Sequence, residues 1–202
     1  TATTVEGCNL GAAPAAVTTV AALEALPGGI TITDVCTPDA SLLVSHSDVN
    51  AGICPVIITR TYTVTDGCGN FVNIVHTINV DDTQAPVVTG SLTATTVEGC
   101  NIGAAPAAVT TVAALEALAG GITITDACTA DAALTVSHTD ANSGPCPLVI
   151  ARTYKVTDGC GNFANIVHTI NVDDTQAPVV TGSLTATTVE GCNIGAAPAA
   201  VT

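Results

Sequence analysis

Apolar and polar residues alternate along several stretches of the chain, which is the pattern of a β-strand with one buried face. The longest stretch, residues 56–65, places four apolar side chains on one side: Val56, Ile58, Tyr62 and Val64. Arg60 shares that side, so we expect its guanidinium to reach water or a carboxylate. The turn Asp66-Gly67-Cys68-Gly69-Asn70 then predicts a hairpin with residues 71–80. Further strands are predicted over residues 1–7, 29–35 and 41–46.

One segment follows a helical pattern, residues 18–26. A Thr precedes it as a cap, Val20, Leu23 and Leu26 fall near one face, and Gly28-Gly29 ends it. We expect this helix to cover an open edge of a sheet. Residues 85–97 predict a long edge strand, in which Gly90 marks the point where the chain changes sheets.

The sequence repeats with a period of 93 − 1 = 92 residues. Residues 1–92 and 93–184 differ at 15 positions, which leaves 92 − 15 = 77 identities, and residues 185–202 repeat 93–110 without change. A unit of this length suits an immunoglobulin-like sandwich of ~100 residues. We therefore predict an all-β chain of tandem immunoglobulin-like β-sandwich repeats, each with one short helix and two disulfides. The predicted domains are residues 1–82, a repeat lacking the start of its first strand, 83–174, a complete repeat, and 175–202, the beginning of a third.

Large core side chains are scarce, because the chain has no Trp or Met and aromatic residues make up only 2% of it. The two Tyr and two Phe are predicted to pack in the cores. A small core needs a further constraint, and the nine cysteines, four in each repeat, supply it. We predict disulfides and an oxidising, extracellular setting, at the cell surface or secreted. Zinc is the alternative, but the sequence has no Cys-x-x-Cys pair.

The predicted strand directions suggest which cysteines pair. With alternating strands, Cys8 and Cys54 lie at one end of a repeat, and Cys36 and Cys68 at the other. A Cys54–Cys68 bond would have to bridge 68 − 54 = 14 residues of straight strand, roughly 45 Å, whereas a disulfide joins α-carbons about 4.4–6.8 Å apart. We therefore predict Cys8–Cys54 and Cys36–Cys68, with the equivalents Cys100–Cys146 and Cys128–Cys160. Cys8–Cys36 with Cys54–Cys68 is the alternative, which requires a bent strand. Cys192 has no predicted partner in the sequence.

The formal net charge of −14, with only Arg60, Arg152 and Lys155 positive, limits the possible partners. Nucleic-acid binding is excluded, because phosphate neutralisation needs Lys and Arg, and anionic membranes are disfavoured. There is no apolar run of transmembrane length, so no direct membrane insertion is expected in this segment. We expect the chain to be a window on a longer array, since it opens inside one repeat and stops inside another. Because the 17 acidic residues far outnumber the 3 Lys and Arg residues, carboxylates remain available for cations.

Carboxylates concentrate at the repeat boundary, as Asp81-Asp82 and again as Asp173-Asp174. Ca²⁺ takes 6–8 oxygen ligands, and two adjacent Asp with nearby backbone carbonyls can begin such a shell. Asp34 and Asp66 follow strands that end at one pole, and are candidates to complete it. The sequence thus predicts calcium as its one candidate cofactor. A solvated acidic turn is the alternative interpretation.

No catalytic set is indicated, and we predict that the chain is not an enzyme. Ser45, His46 and Asp48 have the residue types of a triad, but adjacent strand residues point to opposite faces. The four histidines, one in each of four strands, do not have the spacing of a metal motif: His46, His76, His138 and His168. They are interpreted as partly buried structural residues.

Two segments resemble hyalin-type (HYR-like) repeats: the boundary Asp-Asp-Thr-Gln-Ala-Pro-Val-Val (81–88) and Arg-Thr-Tyr-Thr-Val-Thr-Asp-Gly-Cys-Gly-Asn (60–70). The resemblance covers the whole period. It implies immunoglobulin-like sandwiches in tandem, as in very large bacterial cell-surface proteins that include adhesins. The helix-like segment 18–26 departs from the simplest pattern of that family. The boundary also resembles cadherin linkers, in which paired carboxylates hold calcium.

These features favour a structural segment of an extracellular repeat protein: a stalk, filament or adhesin that extends from the cell surface. The expected partners are neighbouring repeats of the chain, identical chains in a filament, and a surface glycan or other cell-surface ligand. One alternative is a fibre in which residues 85–97 of one chain complete the sheet of another. A second is a polysaccharide-binding accessory module, which the scarcity of aromatic residues disfavours.

Overall fold

The structure, a computed structural model, describes residues 2–190 of the chain. It is mostly β, with 39% of residues in strands and 10% in helices, which confirms the β-rich class expected from the alternating pattern. We call residues 1–82 the first module and residues 83–174 the second module, after the predicted boundaries.

The first module forms one four-stranded sheet. Its strands are β1 (Thr3–Glu6), β2 (Leu43–Ala51), β3 (Val56–Thr65) and β4 (Phe71–Asp81). Their order is β1-β4-β3-β2. Strands β2, β3 and β4 pair antiparallel, whereas β1 runs parallel to β4. The β3–β4 hairpin predicted from the glycine turn is confirmed, and Asp66 closes its turn by accepting hydrogen bonds from the backbone N–H groups of Cys68 and Asn70, both at 2.8 Å.

The second module repeats this sheet and adds a small second one. Its strands are β5 (Val87–Thr89), β6 (Thr95–Glu98), β7 (Thr123–Thr125), β8 (Thr135–Ser143), β9 (Leu148–Thr157) and β10 (Phe163–Asp173). The large sheet has the order β6-β10-β9-β8, and β5 pairs antiparallel with β7 as a separate two-stranded sheet. Ile122, directly before β7, and Ile124 within it belong to the same buried cluster as Tyr154 and Val156 of β9. The two sheets therefore face each other across one core.

The long strand predicted over residues 85–97 is divided into β5 and β6, which lie in different sheets. Gly90 follows β5 and adopts φ +84°, a left-handed conformation that favours glycine. A Cβ at this position would lie 2.8 Å from the carbonyl oxygen of Gly121. The change of sheet expected at Gly90 is therefore confirmed, and the continuous strand is not.

One short α-helix is present in each module, α1 (Val20–Glu24) and α2 (Val112–Glu116). The Thr19 hydroxyl caps α1 by accepting the Ala22 N–H at 3.2 Å, and the buried residues of α1 are Val20 and Leu23, so the predicted helix is confirmed with closer bounds. Among residues 2–190, three 3₁₀-helices lie in the loops: Leu10–Ala12, Asp39–Ser41 and Ile102–Ala104.

The aromatic residues divide between core and surface. Tyr62 and Tyr154 are each only 1% exposed, as predicted. Phe71 and Phe163 are 67% and 48% exposed, so the prediction that they pack in the cores is wrong. The reason is the alternation of side chains along a strand. Phe71 lies on the outward face of β4 with exposed Val75, and Phe163 lies on the outward face of β10 with exposed Val167.

The expectation that Arg60 finds a carboxylate is confirmed. Arg60 is buried and makes a two-pronged ion pair with Asp48 on the neighbouring strand, with Nε and Nη2 each 2.9 Å from a carboxylate oxygen. Its Nη1 also donates to the carbonyl of Pro14 at 2.8 Å. The second module has the same arrangement between Arg152 and Asp140. Each arginine is thus neutralised by one aspartate of the neighbouring strand and also fastens a loop to the sheet.

Candidate cation and disulfide site at the junction

One pole of the first module faces the opposite pole of the second. The ends of β1 and β4 and the start of β3 bring Cys8, Asp82 and Cys54 to this pole of the first module. The loop after β7 brings Cys128, and the hairpin turn after β9 brings Cys160. A cavity of about 100 Å³ between them is lined by residues of both modules. We call this region the junction.

Two disulfides cross the junction. Cys8 is bonded to Cys128, with α-carbons 4.8 Å apart, and Cys54 to Cys160, with α-carbons 5.3 Å apart. Both separations lie in the range that a disulfide spans. They close segments of 120 and 106 residues. Each bond therefore joins the first module to the second.

The predicted pairings Cys8–Cys54, Cys36–Cys68, Cys100–Cys146 and Cys128–Cys160 are wrong, and so is the alternative within a repeat. Cys8 and Cys54 do share a pole, and so do Cys128 and Cys160, but each pair faces the other pair across the junction. Four cysteines that the prediction paired are free and exposed: Cys36, Cys68, Cys100 and Cys146.

The periodicity gives these four cysteines a simple place in the fold. Cys36 and Cys68 are the first-module equivalents of bonded Cys128 and Cys160, since 36 + 92 = 128 and 68 + 92 = 160. Cys100 and Cys146 are likewise the equivalents of Cys8 and Cys54, since 8 + 92 = 100 and 54 + 92 = 146. They lie at the two poles that take no part in the junction.

Three carboxylates converge at the junction from both modules. One carboxylate oxygen each of Asp82, Asp126 and Asp158 lies within 4.8 Å of the others. Asp82 ends the first module, and Asp126 and Asp158 precede Cys128 and Cys160 by two residues. Asp82 is 3% exposed and Asp158 is 6% exposed. This cluster is the candidate cation site.

Local hydrogen bonds hold two of these carboxylates in the loops that carry the cysteines. Asp126 accepts the N–H groups of Cys128 and Thr129 at 2.9 and 2.7 Å. Asp158 accepts the N–H groups of Cys160 and Asn162 at 2.8 and 2.9 Å. The amide of Asn162 also donates to the backbone carbonyl of Asp82 at 2.8 Å, across the junction.

The surroundings of Asp82 are unfavourable for an unpaired negative charge. Burial raises the pKa of its carboxyl above the ordinary value, and the negative charges of Asp126 and Asp158 raise this pKa further. One oxygen of Asp82 accepts the N–H of Gln84 at 3.1 Å. The other oxygen, Oδ2, is buried without a hydrogen-bond partner, as is Oδ2 of Asp126.

The residues predicted to bind calcium are therefore distributed over three places. Asp82 lies at the junction with Asp126 and Asp158, which are the equivalents of Asp34 and Asp66, since 34 + 92 = 126 and 66 + 92 = 158. Asp34 and Asp66 themselves line a groove at the far pole of the first module. Asp173 and Asp174 end the second module, where Asp174 is exposed. Asp81 clusters with Cys54 and Cys160, whose sulfurs are already bonded to each other.

The segment that enters the second module at the junction also completes its core. Val88 of β5 and Leu92 pack against the buried cluster of that module, and Pro86 is buried. The N–H of Thr93 donates to the carbonyl of Ala119 at 2.8 Å. The junction and the core of the second module are thus continuous.

The remaining polar candidates have structural partners. Asp48 is held by Arg60, and the hydroxyl of Ser45 donates to the carbonyl of Thr63 at 3.4 Å. His46 is exposed on the outer strand. Ser45, His46 and Asp48 are therefore not joined in a relay.

The comparisons leave the family open: the chain matches no family model and no curated protein sequence. Within residues 2–190 we find no helix that combines the length and the apolarity required to cross a membrane.

Sequence reasoning missed the bonds between modules. A signal was available in the sequence. Each repeat carries four cysteines in two pairs at opposite poles, and in a head-to-tail array opposite poles of successive units face each other.

Proposed function

We propose that this chain is a structural segment of an extracellular repeat protein, a stalk, filament or adhesin at the cell surface or secreted, and has no enzymatic role. Its units are immunoglobulin-like modules of the kind found in hyalin-type repeats. One observation carries the proposal: both disulfides join one module to the next, and residues 2–190 contain no disulfide within a module. A bond in this position transmits tension past a module.

The short connection between the modules supports the same function. β4 ends at Asp81 and β5 begins at Val87, so five residues separate strands of adjacent modules (87 − 81 − 1 = 5). Glu6 accepts the hydroxyl of Thr83 at 2.6 Å and its N–H at 3.1 Å, which fastens the connection to β1. Two covalent bonds and a tethered connection limit bending, and repetition of such units gives reach and, with a surface ligand, avidity.

A second candidate, a fibre assembled by strand donation between chains, has one observation in its favour. Residues 175–184 have the same sequence as residues 83–92, which supply β5 and Leu92 to the second module. Val179, Val180 and Leu184 in this segment are 86–100% exposed. Residues 85–97, the donor expected from the sequence, pair within their own chain as β5 and β6. Concentration-dependent association of the chain is what this candidate requires.

Force spectroscopy on a single chain, held at its two ends, tests the stalk proposal. Between Cys8 and Cys160 the reduced backbone offers 160 − 8 = 152 residues. In the oxidised chain the shortest route crosses Cys8–Cys128 and then 160 − 128 = 32 residues, so 152 − 32 = 120 residues carry no load. We expect the fully extended oxidised chain to be roughly 400 Å shorter than the reduced chain.

The variant C100S/C146S is the control, because it removes two free cysteines of the same types and keeps both bonds. It is expected to extend like the unmodified oxidised chain. Equal extended lengths before and after reduction would contradict the proposal, because tension would then run through the whole of both modules.

A further inference from the structure

We propose that Asp82, Asp126 and Asp158 bind one Ca²⁺ ion at the junction, with ligands from both modules. The inference deepens the proposed function, because a shared ion would give the junction a third fastening beside the two disulfides. It rests on the geometry and charge of the site alone. The sequence suggested calcium at the boundary, and the structure identifies which of the acidic residues meet.

The charge of the site is not balanced by the protein. The whole chain contains three Lys or Arg residues. Arg60 and Arg152 are paired with Asp48 and Asp140, and the ammonium of Lys155 lies 3.9 Å above the ring of Phe163. Three carboxylates from two modules therefore converge with no basic side chain among them, which is costly in a buried setting unless a cation is present.

Two oxygen atoms at the site point to the same conclusion independently of the cluster itself. Oδ2 of Asp82 and Oδ2 of Asp126 are buried and accept no hydrogen bond. Asp82 as a whole is only 3% exposed. Buried carboxylate oxygens normally have partners. The other oxygens of the cluster are occupied by loop N–H groups or by Asn162. Oδ2 of Asp82 and Oδ2 of Asp126 are thus free for a metal ion. Oδ2 of Asp158 accepts one hydrogen bond, from the Asn162 amide at 2.9 Å, and keeps a second lone pair for the ion.

The spacing of the carboxylates suits calcium. Oxygen ligands lie about 2.3–2.6 Å from Ca²⁺, so two ligands on opposite sides of one ion are about 4.6–5.2 Å apart. The three carboxylate oxygens lie within 4.8 Å of one another, so one ion can contact all three. The adjoining cavity of about 100 Å³, which Asp82 also lines, has room for water to complete the shell.

The ligand chemistry selects among divalent cations. All the donors are oxygen, and the sulfurs nearby are bonded in disulfides, so the soft ligands that zinc prefers are absent from the site. Mg²⁺ keeps several waters and commonly takes one or two carboxylates. Three carboxylates, two of them buried and one half-buried, fit Ca²⁺ better, because Ca²⁺ accepts a variable number of oxygen ligands in a flexible geometry.

The chain contains its own controls for this site. Asp174 is the equivalent of Asp82 (82 + 92 = 174) and is exposed, and Asp66 is the equivalent of Asp158 at the far pole of the first module. Their substitution changes the net charge by the same amount without touching the junction. The proposal therefore requires one site per chain.

Isothermal titration of the oxidised, chelator-treated chain with CaCl₂ provides the test. We expect one Ca²⁺ per chain with a dissociation constant at or below about 10⁻³ M, and a rise in melting temperature on binding. D82N and D158N are expected to weaken binding by at least about tenfold. D174N and D66N are expected to leave both the stoichiometry and the affinity unchanged.

Three outcomes would overturn the inference: no saturable binding, equal losses in the junction and control variants, or complete displacement of Ca²⁺ by a tenfold excess of Mg²⁺. Folding of D82N is checked by mapping its disulfides and by its melting temperature without calcium. That temperature should not fall, since the substitution removes a buried charge from beside two others. The force measurement depends on the disulfides and is made in chelator, so it can succeed or fail separately.

Discussion

The two modules have nearly the same sequence but differ in how completely their core side chains are buried. Residues 1–92 and 93–184 are identical at 77 of 92 positions. Ile122 and Ile124 in the second module are 2% and 1% exposed, whereas their equivalents Ile30 and Ile32 are only half-buried. Residues 123–125 form β7, while residues 31–33 are not in a strand.

The cause is a segment of ten residues, 83–92, that the second module has and residues 2–82 lack. It provides β5, which pairs with β7, and Val88 and Leu92, which pack into the core. In the first module the corresponding place is a cavity of about 110 Å³ lined by Leu23, Leu26 and Ile30. Identical side chains therefore reach different burial because of the segment that precedes them.

The acidic poles show the same dependence on a neighbour. Asp158 is buried and Asp126 half-buried, and both are crowded because Asp82 and two cysteines of the first module face them. Asp34, with the same local sequence, is exposed. The crowded acidic setting thus arises where the two modules meet and is not found at the far pole of the first module.

Removal of the disulfides should change this comparison most. The two bonds close segments of 120 and 106 residues, and in the chain-entropy treatment each contributes about 4–5 kcal/mol. We expect C8S/C54S to lower the free energy of unfolding of the oxidised chain by several kcal/mol, measured by urea denaturation followed by circular dichroism.

The matched control for that experiment is C100S/C146S, which replaces the equivalent residues at the free pole. Since these cysteines are exposed and unbonded, the expected change is within about 0.5 kcal/mol. Peptide mapping after thiol alkylation verifies which bonds remain. Equal destabilisation of the two variants would contradict the assignment of the bonds to the junction.

A smaller effect is expected from filling the space at Gly90. A side chain there meets the carbonyl of Gly121 at 2.8 Å and the α-carbon of Ile122 at 3.2 Å, and it is strained at φ +84°. We expect G90V to cost about 2–4 kcal/mol, from backbone strain together with displacement of β5. Urea unfolding measures the loss, and hydrogen exchange at β7 localises it.

Gly182 is the equivalent position and separates the two contributions. It has φ +90°, but an added Cβ there meets no atom within 4 Å. G182V should therefore carry the backbone strain of an exposed segment without the collision, and cost under about 1 kcal/mol. If both variants lose the same stability, the packing of β5 is not what completes the second module.

The sequence predicted those features that depend on one module alone. Alternation identified β1 to β4, a Thr cap the start of the helix, and Asp66 to Asn70 the hairpin, because each is decided by residues close along the chain. The strand predicted over residues 29–35 is wrong for the first module; its equivalent forms only in the second module, as β7, where β5 pairs with it. The sequence indicated that the Arg60 guanidinium would reach water or a carboxylate, and in the structure it pairs with the carboxylate of Asp48.

The disulfide pairing depends on which ends of the two modules meet, and the alternation of apolar and polar residues carries no information about that contact. Cys8 and Cys54 were placed at one end correctly, but the assumption that a module closes its own bonds led to the wrong partners. The same is true of the acidic residues, since Asp82 meets the equivalents of Asp34 and Asp66 in the next module. Phe71 was misjudged because a hydrophobic side chain was taken as buried without regard to the face on which it lies: alternation along β4 places it opposite the buried Ile78 and Val80.

The smallest expected effect concerns the histidines on β4 and β10. Nε2 of His76 is hydrogen-bonded to the hydroxyl of Thr3 at 2.8 Å, and Nε2 of His168 to the hydroxyl of Thr95 at 2.9 Å. The Nδ1 atom of each histidine is buried without a hydrogen-bond partner. Burial lowers the pKa of both, and the nearby arginines, Arg60 and Arg152, lower it further. His168 is 5% exposed, whereas His76 is half-buried.

The sign of the resulting pH dependence follows from linkage. Because the pKa in the folded chain lies below the unfolded value near 6.5, the unfolded state binds the proton first as the pH falls. The stability that neutral His168 contributes is therefore complete above about pH 6.5 and is lost as the pH falls through the lowered pKa. We expect the urea midpoint to drop between pH 7 and pH 5, by less than the effect of G90V.

H168Q should reduce that drop more than H76Q, because the second module buries its histidine more deeply. H46Q and H138Q, at exposed positions, serve as controls. A drop that is equally reduced by all four variants would show that overall charge, and not the completed packing of the second module, sets the response to acid.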